Sequence, residues 1–188
     1  MPPPRKSEPP HLLEFATNSL RNTTISVDND EHFYEVVTRF WHPDTTKIFK
    51  LDPDSKEMNL VAEIDRLKSK QPRIRFGGEQ GRWMEESEFL RWDDRKREAV
   101  FTGAQGIEYR WKSHHRRLQL VRTAEDDHTP VADFHAHRRH FWVWRMSKHA
   151  YLEVKPEATE ALDSLIMSFL LVQRRRRDSR PALRVERS

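Results

Sequence analysis

Three groups of residues in this 188-residue chain have types and spacings that could do chemistry. The first is the run Phe134-His135-Ala136-His137-Arg138-Arg139-His140. A strand here would put His135 and His137 on one face, at a spacing that can chelate zinc, with His140 as a third ligand. That pattern would suit a metal-dependent enzyme using residues 135–140. Arg138 and Arg139 argue against it, because their charge raises the local potential and disfavours a divalent cation. Solvated strand histidines are the simpler account, and no metal or other cofactor is expected.

The second group is Arg174, Arg175, Arg176 and Arg177. Four consecutive guanidinium groups can complement the negative end of a helix dipole. They can meet anionic lipid head groups, at roughly 1 kcal/mol per basic residue near such a surface. They can also form a nuclear-import or nucleic-acid patch. All three readings are open. The third group is aromatic: among the six tryptophans, Trp142 and Trp144 would share a strand face opposite Phe141 and Val143. One of these pairs would then lie near the surface, where it could stack a ligand or meet a membrane interface.

Other chemistries are excluded more directly. There is no cysteine, hence no disulfide, no thiol nucleophile and no thiolate zinc site. The segment Phe76-Gly77-Gly78-Glu79-Gln80-Gly81 lacks the Lys-Ser/Thr ending of a phosphate loop and reads as a turn. No Gly-x-Ser-x-Gly elbow occurs, and no catalytic residue is nominated.

The formal charge of +4 conceals an asymmetry. Beyond Gln173 there are seven arginines against Asp178 and Glu186, a net of +5, which leaves the preceding 173 residues at −1. A nucleic-acid-binding domain would carry its positive charge on the folded face, so nucleic acid is not an expected partner. No apolar run approaches the roughly 18–20 residues of a spanning helix, and the proline-rich start has no apolar signal core. An intracellular protein is expected, cytoplasmic first, with the nucleus or a membrane surface as alternatives.

The elements that would position these residues are mostly short strands. Ile107-Glu108-Tyr109-Arg110-Trp111-Lys112 alternates apolar and charged residues, as a half-buried strand does. Leu60, Ala62 and Ile64 alternate in the same way, as do Ile74 and Phe76. Further strands are expected at Thr23–Val27, Phe33–Thr38, Thr46–Leu51, Arg97–Thr102, Leu118–Arg122, Val131–His135, Phe141–Met146 and Ala150–Val154. Turn residues such as Asp28-Asn29-Asp30, Asp52-Pro53-Asp54, Asp93-Asp94 and Asp126-Asp127 separate many of them. About twelve strands at this spacing point to an all-β sandwich or barrel. A short echo, Val61-Ala62-Glu63-Ile64-Asp65 against Val131-Ala132-Asp133-Phe134-His135, hints at two similar halves, each with a preceding tyrosine, Tyr34 or Tyr109.

One segment has helical periodicity. Over residues 157–173, Ala158, Ala161, Leu162, Leu165, Ile166, Phe169 and Leu170 form a stripe, while Met167, Leu171 and Val172 fill the other faces. A helix apolar nearly all round must be buried. A barrel of about twelve strands has an interior that needs filling, so helix and sheet fit each other.

The order of several short motifs resembles the tubby C-terminal-like fold shared with LURP-one-related proteins and phospholipid scramblases. Within that group the chain is similar to an uncharacterised fungal family known from mushroom-forming species. The matching residues are Asn22-Thr23-Thr24, Tyr34, Val36, Thr38, Thr45-Thr46, Val61-Ala62-Glu63-Ile64, Phe101-Thr102, Gly106, Tyr109 and Trp111-Lys112. They continue through Val131-Ala132 to Leu162-Asp163-Ser164-Leu165-Ile166 and Phe169-Leu170-Leu171-Val172. The resemblance implies a closed antiparallel barrel around a buried C-terminal helix, and it brings no established activity. The expected organisation is a disordered proline-rich arm at 1–10, one barrel domain at 11–177 with its helix at 157–173, and a disordered basic tail at 178–188. The expected function is a non-enzymatic binding or scaffold protein, with Arg174, Arg175, Arg176 and Arg177 meeting anionic membrane lipid, or with a protein partner. The competing class is the metal-dependent enzyme.

Overall fold

The computed structural model describes residues 9–27, 32–66, 72–95, 97–115, 117–124, 129–137 and 149–179. The expected strand Phe141–Met146, His140, the Trp142 and Trp144 pair, most of the N-terminal arm and most of the C-terminal tail lie outside these residues.

Among the described residues, alternation becomes thirteen strands: β1 (His11–Phe15), β2 (Thr23–Val27), β3 (Phe33–Thr38), β4 (Thr45–Leu51), β5 (Met58–Asp65), β6 (Arg73–Phe76), β7 (Met84–Glu85), β8 (Leu90–Asp93), β9 (Glu98–Thr102), β10 (Glu108–His114), β11 (Arg117–Arg122), β12 (Ala132–His135) and β13 (Tyr151–Val154). Every second side chain turns inward: Thr23, Ile25 and Val27 on β2, then Tyr34, Val36 and Thr38 on β3. The strands form one antiparallel sheet in the order β7-β6-β5-β4-β3-β2-β1-β13-β12-β11-β10-β9-β8. Two up-and-down meanders, β1 to β7 and β8 to β13, meet where β1 pairs with β13. The echo motifs fall on β5 and β12, and the two tyrosines on β3 and β10, so both pairs lie seven strands apart.

The closed barrel expected from the sequence does not form. The sheet is open, with β7 and β8 as its two edges and no ladder between them. These edges are neighbours in the chain. After only two residues of β7, the backbone turns into the short helix α1 (Glu86–Phe89). A capping box starts that turn: Glu85 and Glu88 each accept a hydrogen bond from the other's backbone N–H. The backbone that a closing ladder would need is therefore committed to a helical turn. Side chains span the seam instead. Phe89 stands between Phe76 of β6, 5.2 Å away by ring centroid, and Phe101 of β9, 5.7 Å away. The Trp92 indole donates to Glu86 at 3.1 Å across the same gap.

Inside the curled sheet lies the helix α2 (Leu162–Asp178), preceded by a 3₁₀ segment at Pro156–Ala161. The α-helix thus starts five residues later and ends five residues later than the periodicity predicts. Pro156 opens tight i→i+3 turns, with the Ala158 N–H donating to the Lys155 carbonyl at 2.9 Å. At the other end, arginine is a good helix former and suits the negative pole, so the helix runs on through the basic residues. From Leu165 to Val172 every residue is buried. Phe169 packs on Phe15, Phe134 and Trp111, whose centroids lie at 5.3, 4.8 and 5.9 Å. Two polar side chains beside Phe169 satisfy each other: the Trp111 Nε1–H donates to Ser168 Oγ at 2.9 Å, and Ser168 donates to the Leu165 carbonyl.

The start of α2 is held by a second polar contact. Tyr34 donates its hydroxyl to Asp163, which also accepts from Lys50 Nζ at 3.1 Å. Burial, and then the Asp163 charge, hold the Tyr34 hydroxyl well above the usual phenol range, so it stays a donor.

Truncating Phe169 to Ala removes contacts with three strands and should cost about 3–5 kcal/mol. Phe40 is 95% exposed, and its truncation should change stability by less than about 0.5 kcal/mol. Urea denaturation of the two variants measures both.

Candidate functional site

In a meander, alternate turns share an end. The turns after β1, β3, β5, β8, β10 and β12 therefore lie where α2 finishes, and those after β2, β4, β6, β9, β11 and β13 lie where it starts. Contacts from the last helical turns confirm the grouping. Arg174 donates to the Leu20 carbonyl at 2.7 Å and to Thr46 Oγ1 at 3.0 Å. Arg175 pairs with Asp94 at 2.7 Å and lies 4.2 Å above the Trp92 ring. Arg176 reaches Ser113 Oγ at 3.4 Å, and Arg177 reaches the Asn18 carbonyl at 3.1 Å.

The four arginines thus do not form one patch. Arg174 is only 7% exposed and belongs to the packed interior. Burial, followed by the charges of Arg66 and Arg21, pushes its guanidinium down to about 9, still protonated at neutral pH. Arg175 and Arg177 are exposed and Arg176 is half-buried, each on a different side of the helix.

The two ends of the molecule differ in charge. Among described residues, the connections at the finishing end carry Arg21, Arg39, Arg66, Arg95 and Arg97 against Asp44 and Asp94. The helix adds Arg174–Arg177 against Asp178, and α1 places Glu86 at the same end, for a net of +5. The opposite end carries Asp52, Asp54, Glu57, Glu79, Glu157, Glu160 and Asp163 against Lys56, Arg82 and Lys155, a net of −4. An anion would approach the first end and avoid the second.

Three concavities surround the helix at its cationic end. One of about 500 Å³ lies near the seam, with Arg66, Glu86, Trp92 and Arg175 on its wall. A second of about 540 Å³ opens beside Asp94, Arg97 and Arg176. The third, about 590 Å³, is lined by His115, Arg117, His135, His137, Arg176 and Arg177 over an apolar floor of Leu118 and Phe134. Carboxylates line the first two, whereas none of the described residues lining the third carries one.

Two of the three histidines proposed as metal ligands, His135 and His137, therefore share a cavity with two of the arginines; the third, His140, lies outside the described residues. The His135 ring stacks on Tyr151 at 4.3 Å, and its Nε2 lies 3.5 Å from Glu153. Among the described residues, no three His, Asp or Glu side chains are grouped to hold a metal ion. No helix among them is long and apolar enough to cross a membrane.

Sequence reasoning missed the turn Arg39-Phe40-Trp41-His42. Phe40 is 95% and Trp41 67% exposed, at the same end as the arginines. The signal was present: two adjacent aromatics in a turn interrupt the alternation that buries their neighbours.

No curated protein and no solved structure matches the chain. A family model matches residues 18–178, which include all of the helix and twelve of the thirteen strands, and its description is a family of unknown function. The chain belongs to that family, DUF6593.

Proposed function

We propose that the protein is a non-enzymatic binding protein that docks peripherally on anionic phospholipid, with the end where α2 finishes facing the membrane. The observation that carries this reading is the charge contrast between the two ends, +5 against −4 among described residues. Near an anionic leaflet each basic residue is worth roughly 1 kcal/mol, so a difference of this size orients the molecule as well as attracting it. The acidic end would be repelled, which leaves one favourable docking pose.

The exposed Phe40-Trp41 tip supports the same pose. Tryptophan favours the membrane–water interface, where its ring is apolar and its N–H can still be hydrated. Arg39 lies 5.7 Å from the Trp41 ring and would keep a positive charge beside the inserting aromatic. Two side chains are too few for a stable protein interface of roughly 800 Å² per partner. They suffice to anchor a surface already held by charge. The resemblance to tubby-like proteins and scramblases, which work at membranes, points the same way. A cytoplasmic or peripheral-membrane location would follow.

Such binding is mainly Coulombic, with a screening length of about 8 Å at physiological ionic strength. In cosedimentation the protein should bind phosphatidylserine vesicles at low salt, release as salt rises and ignore phosphatidylcholine vesicles. Equal binding to neutral vesicles, or none to anionic vesicles at low salt, would sink the reading. Replacing Phe40 and Trp41 together by Ser should leave low-salt binding largely intact and shift release to lower salt.

The arginines should separate into two kinds. Arg174→Gln leaves the Leu20 carbonyl and Thr46 short of a buried partner and should cost about 1–3 kcal/mol of stability. The combined change of Arg175, Arg176 and Arg177 to Gln breaks only exposed or half-buried contacts, each worth about 0–1 kcal/mol. That triple variant should stay folded in a urea titration yet lose most vesicle association.

A further inference from the structure

The last turn of α2 carries a pattern that neither the packing of the core nor the docking surface requires. We infer that Ser179 is a phosphorylation site for a serine kinase that recognises arginines ahead of its target hydroxyl. The inference rests on the docking reading only for its consequence, which is release from an anionic surface.

Arg176 and Arg177 stand three and two residues before Ser179, and no other serine or threonine of the chain has arginine at both positions. In an extended substrate they precede the hydroxyl by roughly 7–10 Å of chain. Guanidinium groups there can pair bidentately with carboxylates beside a kinase cleft. Ser113 and Thr24 each follow one arginine by three residues, but both are paired in strands, β10 and β2. Ser179 is exposed at the C-cap of α2, where its hydroxyl donates to the Arg175 carbonyl at 2.7 Å. A kinase takes its substrate extended, so the end of the helix must unwind. Burial along α2 stops at the residue that permits this. Leu171, Val172 and Arg174 are buried, whereas Arg175, Arg177, Asp178 and Ser179 are exposed and Arg176 is half-buried. Unwinding from Arg175 onward leaves the core covered. The contacts it breaks include Arg175 with Asp94, Arg176 with Ser113 and Arg177 with Asn18, all at the surface, where such contacts are weak.

In the transfer, Ser179 Oγ forms a bond to the γ-phosphorus of ATP while the bond from that phosphorus to the bridging oxygen breaks. ADP leaves, and the hydroxyl proton passes to a carboxylate of the kinase. The product is a phosphomonoester that carries about −1.5 to −2 charges at neutral pH. It no longer donates to the Arg175 carbonyl and it faces the negative pole of α2, which opposes it. The backbone N–H of Ser179 still donates to that carbonyl at 2.9 Å, and the neighbouring arginines offset the pole. The net charge of this end then falls from +5 to between about +3 and +3.5. Phosphorylation within a basic segment weakens its hold on an anionic leaflet in this way.

The test combines the full chain, the catalytic subunit of cyclic-AMP-dependent kinase with ATP, and phosphatidylserine vesicles. Intact mass should show an added phosphoryl group, and peptide mapping should place it on Ser179. Ser179→Ala removes only an exposed hydroxyl, so it should fold, lose that modification and keep its low-salt vesicle binding after kinase treatment. The phosphorylated wild-type chain should bind the vesicles about tenfold more weakly, or less, as the lost charge predicts. No modification at Ser179, or the same phosphoryl uptake by Ser179→Ala, would overturn the site and leave the docking standing. Modification at Ser179 with unchanged vesicle binding would keep the site and overturn its effect on docking. Modification at Ser179 of a chain that binds no vesicle even before treatment would keep the site and remove the docking reading instead.

Discussion

A helix with apolar side chains on every face cannot be stable at a surface, and the rest of this structure follows from covering α2. A flat sheet would shield one side of it and leave Leu165, Met167 or Leu171 against water. Burying a side chain of that size is worth about 1.5–3 kcal/mol, so the sheet must curl until all faces are covered. Strands from both meanders take part. Phe15 of β1, Trp111 of β10 and Phe134 of β12 surround Phe169, while Tyr34 of β3 and Lys50 of β4 hold Asp163 at the start of the helix. The two buried polar side chains that α2 itself contributes, Ser168 and Arg174, each have partners.

Covering the helix does not require a closed ladder. What the core requires at the seam is the exclusion of water, and aromatic rings can supply that. Phe76, Phe89, Phe101 and Tyr109 form a row of neighbouring rings from β6 across α1 to β9 and β10. The edge strands have only two and four residues, which limits the unpaired backbone they present to other chains. The opening also gives α1 a purpose in the fold: it carries Phe89 inward and leaves Glu86 to meet Trp92.

Much of this was legible in the residues. Thr23–Val27 and Phe33–Thr38 are so rich in β-branched and aromatic residues that the bounds expected match β2 and β3, and the apolar run through Val172 could only be a buried helix. Three strands were not legible. In β1 Leu12 and Leu13 adjoin and break the period of two, β7 is too short to have a period, and β8 contributes just Leu90 and Trp92. Closure was overestimated because strand count and helix size set the circumference but say nothing about the bond between the last two edges. The site was harder still. Net charge adds all residues together, so the acidic turns cancel the basic ones on paper. Only the meander, which returns every second turn to the same end, separates Arg21, Arg39 and Arg66 from Asp52, Asp54 and Glu79. His135 of β12 and His137 just beyond it lie about forty residues from the arginines of α2, and their meeting depends on where the helix stops.

The arginine run has a geometric consequence that its composition hides. Successive helical residues are turned by about 100°, so four in a row sweep most of the way round the axis. Basic residues spaced three or four apart would have made one stripe on one face. The consecutive order instead sends Arg174 inward to Leu20 and Thr46, and Arg175, Arg176 and Arg177 to Asp94, Ser113 and Asn18 around the rim. Each contact ties the helix end to a different part of the curled sheet, which an open sheet needs more than a closed one. The same splaying spreads positive charge around the whole mouth. Structural fastening and anion attraction are thus one arrangement, and the cavity beside Arg117 and His137 differs from its neighbours because none of its described wall residues is a carboxylate.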